Sequence, residues 1–483
     1  MQEARECTSA AILLSIAFLL MFTSYGGIES LETSIIPGSC KGCLEGTPNG
    51  ICQSGSVCQE KAKFSCDDAC AAPFEECQST LGNTILGVVY LAFCLSSFVG
   101  PVVPNYLGMK KSLFCSSIFY VLFACANLVV ALTPNEATLH AVVMLSAATL
   151  LGLAASALWI AQASYITQLS VLYSSLKNEP LVSSMGTFNG IFYGIFNLSG
   201  ITGNLISSLV LESLGWSTTS LFIIYTVLGA SGTAMFLLLP PLGIKTTTIA
   251  LGESRDPSSV NETTHGPKRF SIWVLWELAK DTRMIVWIPV FAFTGLLRGF
   301  AMGEFTANFT RESLGTTSIG YVMALYGAVT VVGAYGFGKL ADKFGPLLGQ
   351  VIGYVVLLVA YCMCYWIHVA KCDGQWTLVV FIAILLSLGD ASLTTLTNVV
   401  VGQEFSSDAV NAFSIYKVYQ SGTVAASFFF FKYLSFHGRL VVVMLSAALA
   451  CGAFVLYSAK YRRVSTEEYL TLETPSAATV APE

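Results

Sequence analysis

Residues 338–345 read Gly-Lys-Leu-Ala-Asp-Lys-Phe-Gly, and this short basic segment lies between two long apolar stretches, 318–340 and 346–370. Crossing a hydrocarbon core of about 30 Å takes about 20 apolar residues in a helix, so each stretch is long enough to cross a membrane. A backbone in lipid must satisfy its hydrogen bonds internally, which makes both stretches helices. The segment between them is predicted to form a tight loop at the membrane surface.

Apolar stretches of this kind recur along the whole chain, with polar breaks between them. The first continues too far to be a cleaved signal peptide. The sequence therefore predicts an all-α polytopic membrane protein with twelve transmembrane helices. The twelve stretches are 10–36, 81–103, 112–132, 139–167, 185–211, 220–239, 283–305, 318–340, 346–370, 376–401, 412–431 and 439–457.

The composition agrees with a chain that is mostly surrounded by lipid. Hydrophobic residues make up 54% of the 483 residues and charged residues only 11%, whereas soluble domains carry about 25% charged residues. The net charge of −5 is spread over loops and tails without a basic stripe, which argues against a nucleic-acid partner. No nucleophile and base face water together, so we expect no enzyme, and no cofactor or metal site is predicted.

The spans fall into two sets of six. An N-terminal half, 1–240, carries an outer loop at 37–80, and a C-terminal half spans 283–458. Residues 241–282 are polar and contain Gly252, Pro257 and Ser258, which indicates a flexible cytosolic linker, and 459–483 form a tail. Lys110, Lys111, Lys339 and Lys343 lie in short loops on one side, so the positive-inside rule predicts that both termini are cytosolic.

The first outer loop is crowded with cysteines. We predict a disulfide-linked cap in an oxidising compartment, with Cys372 of a later outer loop making the outward number even. A zinc site is the alternative, since Cys40 and Cys43 have the spacing of a zinc knuckle, but no His lies in the loop. The loop cysteines are Cys40, Cys43, Cys52, Cys58, Cys66, Cys70 and Cys77.

Two further short motifs suggest modification and sorting. Asn308 begins an outward Asn-Phe-Thr sequon and is a candidate for glycosylation. Tyr469 begins the Tyr-Leu-Thr-Leu pattern that sorting adaptors read, and a disordered tail is the alternative interpretation.

The segment at 338–345 resembles the GxLADxxG loop motif of the major facilitator superfamily. The resemblance implies that Gly338 and Gly345 allow a tight approach of helices, while Asp342 and Lys343 form a latch between helices that slide. The equivalent loop of the first half, residues 101–111, is a degraded copy in which Asn105 replaces the Asp and Gly108 remains. Repetition at half-chain distance fits the two parallel halves of this fold.

A closer resemblance covers most of the chain. Residues 25–32 (Tyr-Gly-Gly-Ile-Glu-Ser-Leu-Glu), 157–165, 188–192, 388–391 (Leu-Gly-Asp-Ala) and 412–417 resemble blocks of the Unc-93-like family. Members usually carry Gly where this chain has Ala163, and amides in place of Glu29 and Glu32. The resemblance implies a regulatory subunit of potassium channels, a potassium-homeostasis protein or a trafficking partner of other membrane proteins.

A few polar residues occur inside the predicted spans. A charge at this depth costs about 3 kcal/mol or more, so such residues mark a water-filled path or a paired site. We predict an ion pair between Asp390 and Lys417 and expect Arg298 to pair with Glu29 or Glu32. Glu32 and Glu304 can instead reach water near the outer surface. The alternative interpretation is that the ion pairs are purely structural and only hold helices together. The cavity or coupling candidates are Glu29, Glu32, Trp159, Gln162, Arg298, Glu304, Asp390 and Lys417.

Two functions remain open at this point. The leading hypothesis is an Unc-93-like protein that mediates or regulates the movement of an ion or small solute, potassium-linked by resemblance. The competing hypothesis is a trafficking chaperone or regulatory partner of membrane proteins, such as ion channels, that does not transport. The expected location is the plasma membrane or an endolysosomal membrane.

Overall fold

The structure is a computed structural model. Residues whose placement it describes are 2–35, 38–39, 51–52, 80–100, 102–133, 136–177, 181–241, 272–315, 318–367, 374–405 and 409–460.

Twelve long helices make up the described chain, as the sequence predicts. They are α1 (Gln2–Ile35), α2 (Thr80–Ser97), α3 (Met109–Leu132), α4 (Ala137–Lys177), α5 (Leu181–Phe196, continued by Leu198–Ser208), α6 (Thr218–Met235), α7 (Thr282–Gly299), α8 (Ile319–Phe344), α9 (Pro346–Trp366), α10 (Trp376–Glu404), α11 (Ala409–Phe430) and α12 (Phe436–Lys460). Short helices occur at Val102–Leu107, Ile272–Ala279 and Glu312–Leu314.

Ten candidate spans of the described chain are long and apolar enough to cross a membrane. Helix α2 is apolar but shorter, and α11 is not among the ten. Asn411, Lys417 and Gln420 make the sequence of α11 more polar, and such residues mark functional positions when a helix lies in a bundle.

Several helices depart from the predicted spans. Helix α4 runs ten residues past the predicted end, and α5 is interrupted by a turn at Asn197. The chain of α7 continues beyond Gly299 as a wider π-helix, Phe300–Arg311. The linker prediction is wrong for its last part, since Ile272–Ala279 is helical. Its residues are mostly apolar and Leu275 is buried, so packing favours helix there over a flexible chain.

Only a fragment of the cysteine-rich loop is described. Strand β1 (Gly38–Ser39) pairs antiparallel with β2 (Ile51–Cys52), so that Gly38 lies opposite Cys52. Cys40, Cys43, Cys58, Cys66, Cys70, Cys77 and Cys372 lie outside the described residues, as does Tyr469, and the disulfide cap stays a prediction.

The two halves repeat the same turn at the same place. Gly108 precedes α3 with φ 81° and ψ 158°, and Gly345 precedes α9 with φ 79° and ψ 160°. This backbone region is accessible almost only to glycine. The match supports the sequence comparison that aligns the two segments.

The motif at 338–345 forms the last turns of a helix, not a loop. Helix α8 continues through Ala341, Asp342 and Lys343 to Phe344, and the side chains of Asp342, Lys343 and Asn105 lie outside the described residues. The predicted latch therefore stays a prediction. The tight turn itself is made by Gly345.

Twelve crossings place both ends of the bundle on one side, called the termini side, and the chain between α1 and α2 on the other, called the loop side. The halves touch in the loop-side part of the bundle. A Cβ atom at Gly320 of α8 would collide with Asn204 and Ser208 of α5. The Tyr90 ring of α2 stacks on Phe428 of α11 with ring centroids 6.3 Å apart.

Helices α5 and α8 part toward the termini side. Gly327 and Gly338 lie eleven residues apart on one face of α8, three turns along the helix. A Cβ at Gly327 would lie 3.3 Å from the carbonyl carbon of Gly200 in α5, whereas a Cβ at Gly338 would meet nothing within 4 Å. The halves therefore enclose a cleft that widens toward the termini side.

Candidate functional site

Three polar side chains meet where the cleft ends. The Tyr90 hydroxyl of α2 donates to Oε1 of Glu29 in α1 and accepts a hydrogen bond from Nε of Arg298 in α7, at 2.9 Å. Nη2 of Arg298 also donates to Oε2 of Glu29 at 2.7 Å. Glu29, Tyr90 and Arg298, here called the polar triad, thus form a closed ring of contacts.

The polar triad joins the two halves of the protein. Glu29 is 3% exposed and lies in the loop-side third of α1, while Arg298 lies in the middle third of the helix formed by 282–311. The Arg298 side chain is nevertheless 42% exposed. A guanidinium at this depth that stays accessible indicates a polar path that reaches it from the cleft.

The predicted pairing of Arg298 with Glu29 is confirmed. The predicted pair of Asp390 and Lys417 is wrong: the Asp390 carboxylate instead accepts hydrogen bonds from the hydroxyls of Tyr326, at 3.0 Å, and Thr394, at 2.9 Å. Both donors belong to the C-terminal half, on α8 and α10. Two hydroxyl donors satisfy a partly buried carboxylate without a cation partner.

The direct contacts of the Lys417 ammonium group in α11 are with neutral side chains. Its Nζ donates to Oε1 of Gln420 at 2.8 Å and lies 5.0 Å from the centre of the Tyr416 ring. Among the described residues, no carboxylate lies within 4 Å of this ammonium group. A Cβ atom at Gly295, one turn before Arg298, would lie 2.2 Å from the backbone oxygen of Gln420, so α7 and α11 pack closely beside the turns that carry Arg298 and Lys417.

Tyr193 brings α5 to the same region. It lies one turn before the interruption at Asn197 and packs against the rings of Phe192 and Phe196. Its side chain is 44% exposed all the same. We call the open space bordered by Tyr193, Arg298 and Lys417 the central cleft.

The other acidic candidates lie apart from the central cleft. Glu32 is 2% exposed, faces Asn127 of α3, and its Oε1 has no hydrogen-bond partner among the described residues. Glu304 accepts from Nη1 of Arg439 in α12 at 2.5 Å and from Nδ2 of Asn308 at 2.9 Å. The expectation that these two carboxylates reach water is therefore wrong, because both are largely enclosed by helices.

The two candidates of α4, Trp159 and Gln162, are also surrounded by protein side chains. Trp159 packs against Phe18, Phe22 and Phe196 with ring centroids 5.3–5.7 Å apart. Gln162 is buried on the same helix. Aromatic packing of this kind stabilises the N-terminal half, and it places Trp159 beside the α5 helix that borders the central cleft.

The structure argues against Asn308 as a glycosylation site. Its side chain is 8% exposed, and its amide nitrogen donates to the Glu304 backbone and carboxylate. A transferase must reach that nitrogen from water. The sequon lies instead inside the π-helix that packs against α12.

Four residues that form these contacts were not predicted as site residues from the sequence. Tyr90, Tyr326 and Gln420 are uncharged, so a search for charged residues in spans passes over them. Arg439 lies at the edge of its span and therefore resembles an ordinary interfacial residue. A buried hydroxyl in a lipid-embedded helix needs a partner, and that requirement was the available signal for the two tyrosines.

The comparisons with known proteins agree with this architecture. A family model described as "Ion channel regulatory protein UNC-93" matches residues 74–455. UNC93-like protein 3 of Arabidopsis thaliana is 25% identical over 450 residues, which cover 92% of this chain and 84% of that protein. Protein unc-93 homolog A of Homo sapiens is 26% identical, with 92% of each chain covered. Caenorhabditis elegans unc-93, named as a proposed potassium channel regulatory protein, is 25% identical over 93% of this chain and 60% of its own length.

Solved structures of transporters share the fold. A D-xylose-proton symporter superimposes with a TM-score of 0.63 at 10% sequence identity, covering 94% of this chain and 96% of that one. A nucleoside transporter gives a TM-score of 0.54 at 12% identity, with 94% and 99% covered. With twelve helices in two matching halves and a family match over most of its length, the chain belongs to the UNC-93 family of membrane proteins and has the major facilitator fold.

Proposed function

We propose that the protein is a solute carrier that works by alternating access. The observation that carries this proposal is the polar triad, which links α1 and α2 of one half to α7 of the other at the closed end of an open cleft. A contact that joins the halves by a few polar side chains can break and re-form as the halves rock. Removing the triad then opens the loop side.

The experiment is a flux measurement with purified protein in liposomes. Anionic, neutral and cationic solutes are offered separately, with the wild type, Arg298→Met and Lys177→Gln, whose lysine lies at the exposed end of α4. We expect uptake of at least one class by the wild type and by Lys177→Gln, and loss of uptake in Arg298→Met. Folded wild-type protein that carries no solute across the panel contradicts the proposal.

Asp390 is proposed as the residue that couples transport to protons. Its carboxylate is held by two hydroxyl groups and forms no ion pair with the described residues, so protonation changes its charge without breaking an ion pair. Uptake driven by a pH gradient should disappear in Asp390→Asn, while exchange without a gradient continues. Loss of both activities to the same extent contradicts the coupling role.

A second candidate is regulation of an ion channel, which the description of the family model favours. A regulator uses the same bundle as a binding surface and needs no flux. The channel current recorded with and without this protein in one membrane tests it. An altered current that survives Arg298→Met would support regulation and separate it from transport.

The termini side is proposed to be cytosolic, in the plasma membrane or an endolysosomal membrane. Lys110 and Lys111 begin α3 and Lys339 lies near the end of α8, all on this side, and cytosolic loops carry an excess of basic residues. Protease treatment of intact cells tests the orientation with a tag at the C-terminus. Digestion of the tag without permeabilisation contradicts it.

A further inference from the structure

The central cleft contains two cations whose hydrogen-bonding capacity is only partly used. Arg298 donates from Nε to Tyr90 and from Nη2 to Glu29, and its Nη1 has no hydrogen bond to the described residues. Lys417 donates once, to the amide oxygen of Gln420. An ammonium group has three donors, so two of them remain for another partner.

The acids of this region are already engaged. The Glu29 carboxylate accepts hydrogen bonds from Tyr90 and Arg298. The Asp390 carboxylate accepts hydrogen bonds from Tyr326 and Thr394. None of the described carboxylates forms an ion pair with Lys417. The donors left over in the cleft are therefore positively charged.

The surroundings favour an organic partner over a hydrated inorganic ion. The Tyr193 ring borders the cleft and is 44% exposed. Aromatic faces supply large apolar contact area. Binding sites for small molecules commonly combine such surfaces with a few oriented polar groups.

We propose that the central cleft binds a small organic anion, whose carboxylate accepts hydrogen bonds from Nη1 of Arg298 and Nζ of Lys417. The inference rests on the proposed transport function and names its substrate class. Occupation by an anion also relieves the repulsion between the two cations. The anion thereby ties α7 to α11 on the open side of the polar triad.

The test uses purified full-length protein in detergent and a series of three probes with one ring and different charge: benzoate, benzamide and benzylammonium. The thermal unfolding midpoint is followed as each probe is titrated at constant ionic strength. We expect saturable stabilisation by benzoate alone. Lys417→Gln should weaken the apparent benzoate affinity at least ten-fold, Lys417→Arg should retain it, and the surface control Lys177→Gln should match the wild type.

A second variant guards against loss of folding in Lys417→Gln. Gln420→Glu places a carboxylate on the lysine ammonium, where the amide oxygen now lies at 2.8 Å, and should reduce benzoate binding by internal competition. Equal responses to benzoate and benzamide overturn the proposal. The proposal is also overturned if benzoate does not stabilise the wild type, or if its effect is unchanged in both variants.

Failure of the transport function is distinguishable from failure of this site. If benzoate binding depends on Lys417 but no solute is carried across the membrane, the anion site is supported and the transport proposal is contradicted. Flux of cations or neutral solutes that is unaffected by Lys417→Gln upholds transport and overturns the anion site.

Discussion

The Nη2 atom of Arg298 lies 2.7 Å from Oε2 of Glu29, and this contact joins a helix of each half. The Tyr90 hydroxyl bridges the same two groups by donating to one and accepting from the other. Three side chains from α1, α2 and α7 therefore depend on one another at the closed end of the cleft. Loss of any one leaves a charged group incompletely satisfied.

The first prediction concerns the bridging hydroxyl. Tyr90→Phe keeps the ring that stacks on Phe428 but removes a donor to Glu29 and an acceptor for Arg298. Leaving buried polar groups unsatisfied costs about 1–3 kcal/mol, so the thermal unfolding midpoint of the purified protein should fall. Tyr106→Phe is the control, since that side chain is 88% exposed. Equal midpoints for the two variants would show that the bridge contributes no stability.

The second prediction concerns the glycine turns that the halves share. Gly345 adopts φ 79° and ψ 160°, a region in which other residues are strained by about 1–3 kcal/mol. Gly345→Ala should lower the unfolding midpoint. Gly336→Ala should not, because that glycine lies in a helix with open space around its Cβ position and alanine favours helix by about 1 kcal/mol. A Gly345→Ala protein as stable as the wild type would mean that the turn relaxes without strain.

The fold could be read from the sequence because its signals are long and additive. Apolar stretches of twenty residues locate helices without knowledge of any contact, and the repeated Gly108 and Gly345 segments align the halves. The π-helix after Gly299 and the turn at Asn197 could not be read in this way. Both depend on how neighbouring helices pack, which hydrophobicity does not encode.

The site was only partly predictable, for a physical reason. A charged residue inside a span requires a partner, and this requirement led to the predicted pairing of Arg298 with Glu29. It does not say whether the partner is another charge. Asp390 and Lys417 were wrongly paired because hydroxyl and amide groups satisfy each of them, and such groups are frequent in every helix.

The third prediction concerns the ion pair that ties the π-helix to α12. Glu304 and Arg439 are each 13% exposed at 2.5 Å separation. Arg439→Met removes the cation that lies 2.5 Å from this largely buried carboxylate and should cost about 3 kcal/mol of stability. The double variant Glu304→Leu and Arg439→Met removes both charges and should recover much of the loss. Unfolding midpoints of the three proteins measure this, and a double variant less stable than Arg439→Met would contradict it.

The fourth prediction concerns the sequon at Asn308. Because its amide is buried and bonded to Glu304, we expect protein expressed in eukaryotic cells to carry no glycan there. Asn308→Gln should leave electrophoretic mobility before and after deglycosylation the same as in the wild type. A glycan that disappears with Asn308→Gln would require the π-helix to form only after glycosylation.

The last prediction uses two glycines on one face of α8 to move the halves in opposite directions. Gly320 and Gly338 lie eighteen residues apart, five turns along the helix. A side chain at Gly320 would collide with α5, whereas one at Gly338 meets open space. Gly320→Leu should therefore disfavour closure on the loop side, and Gly338→Leu should disfavour closure on the termini side.

A Tyr193→Cys reporter in the central cleft measures this with an impermeant maleimide applied from the termini side. Labelling that is specific to this cysteine should slow with Gly320→Leu and stay fast with Gly338→Leu. The same change in both would mean that α5 and α8 do not rock about their loop-side contact.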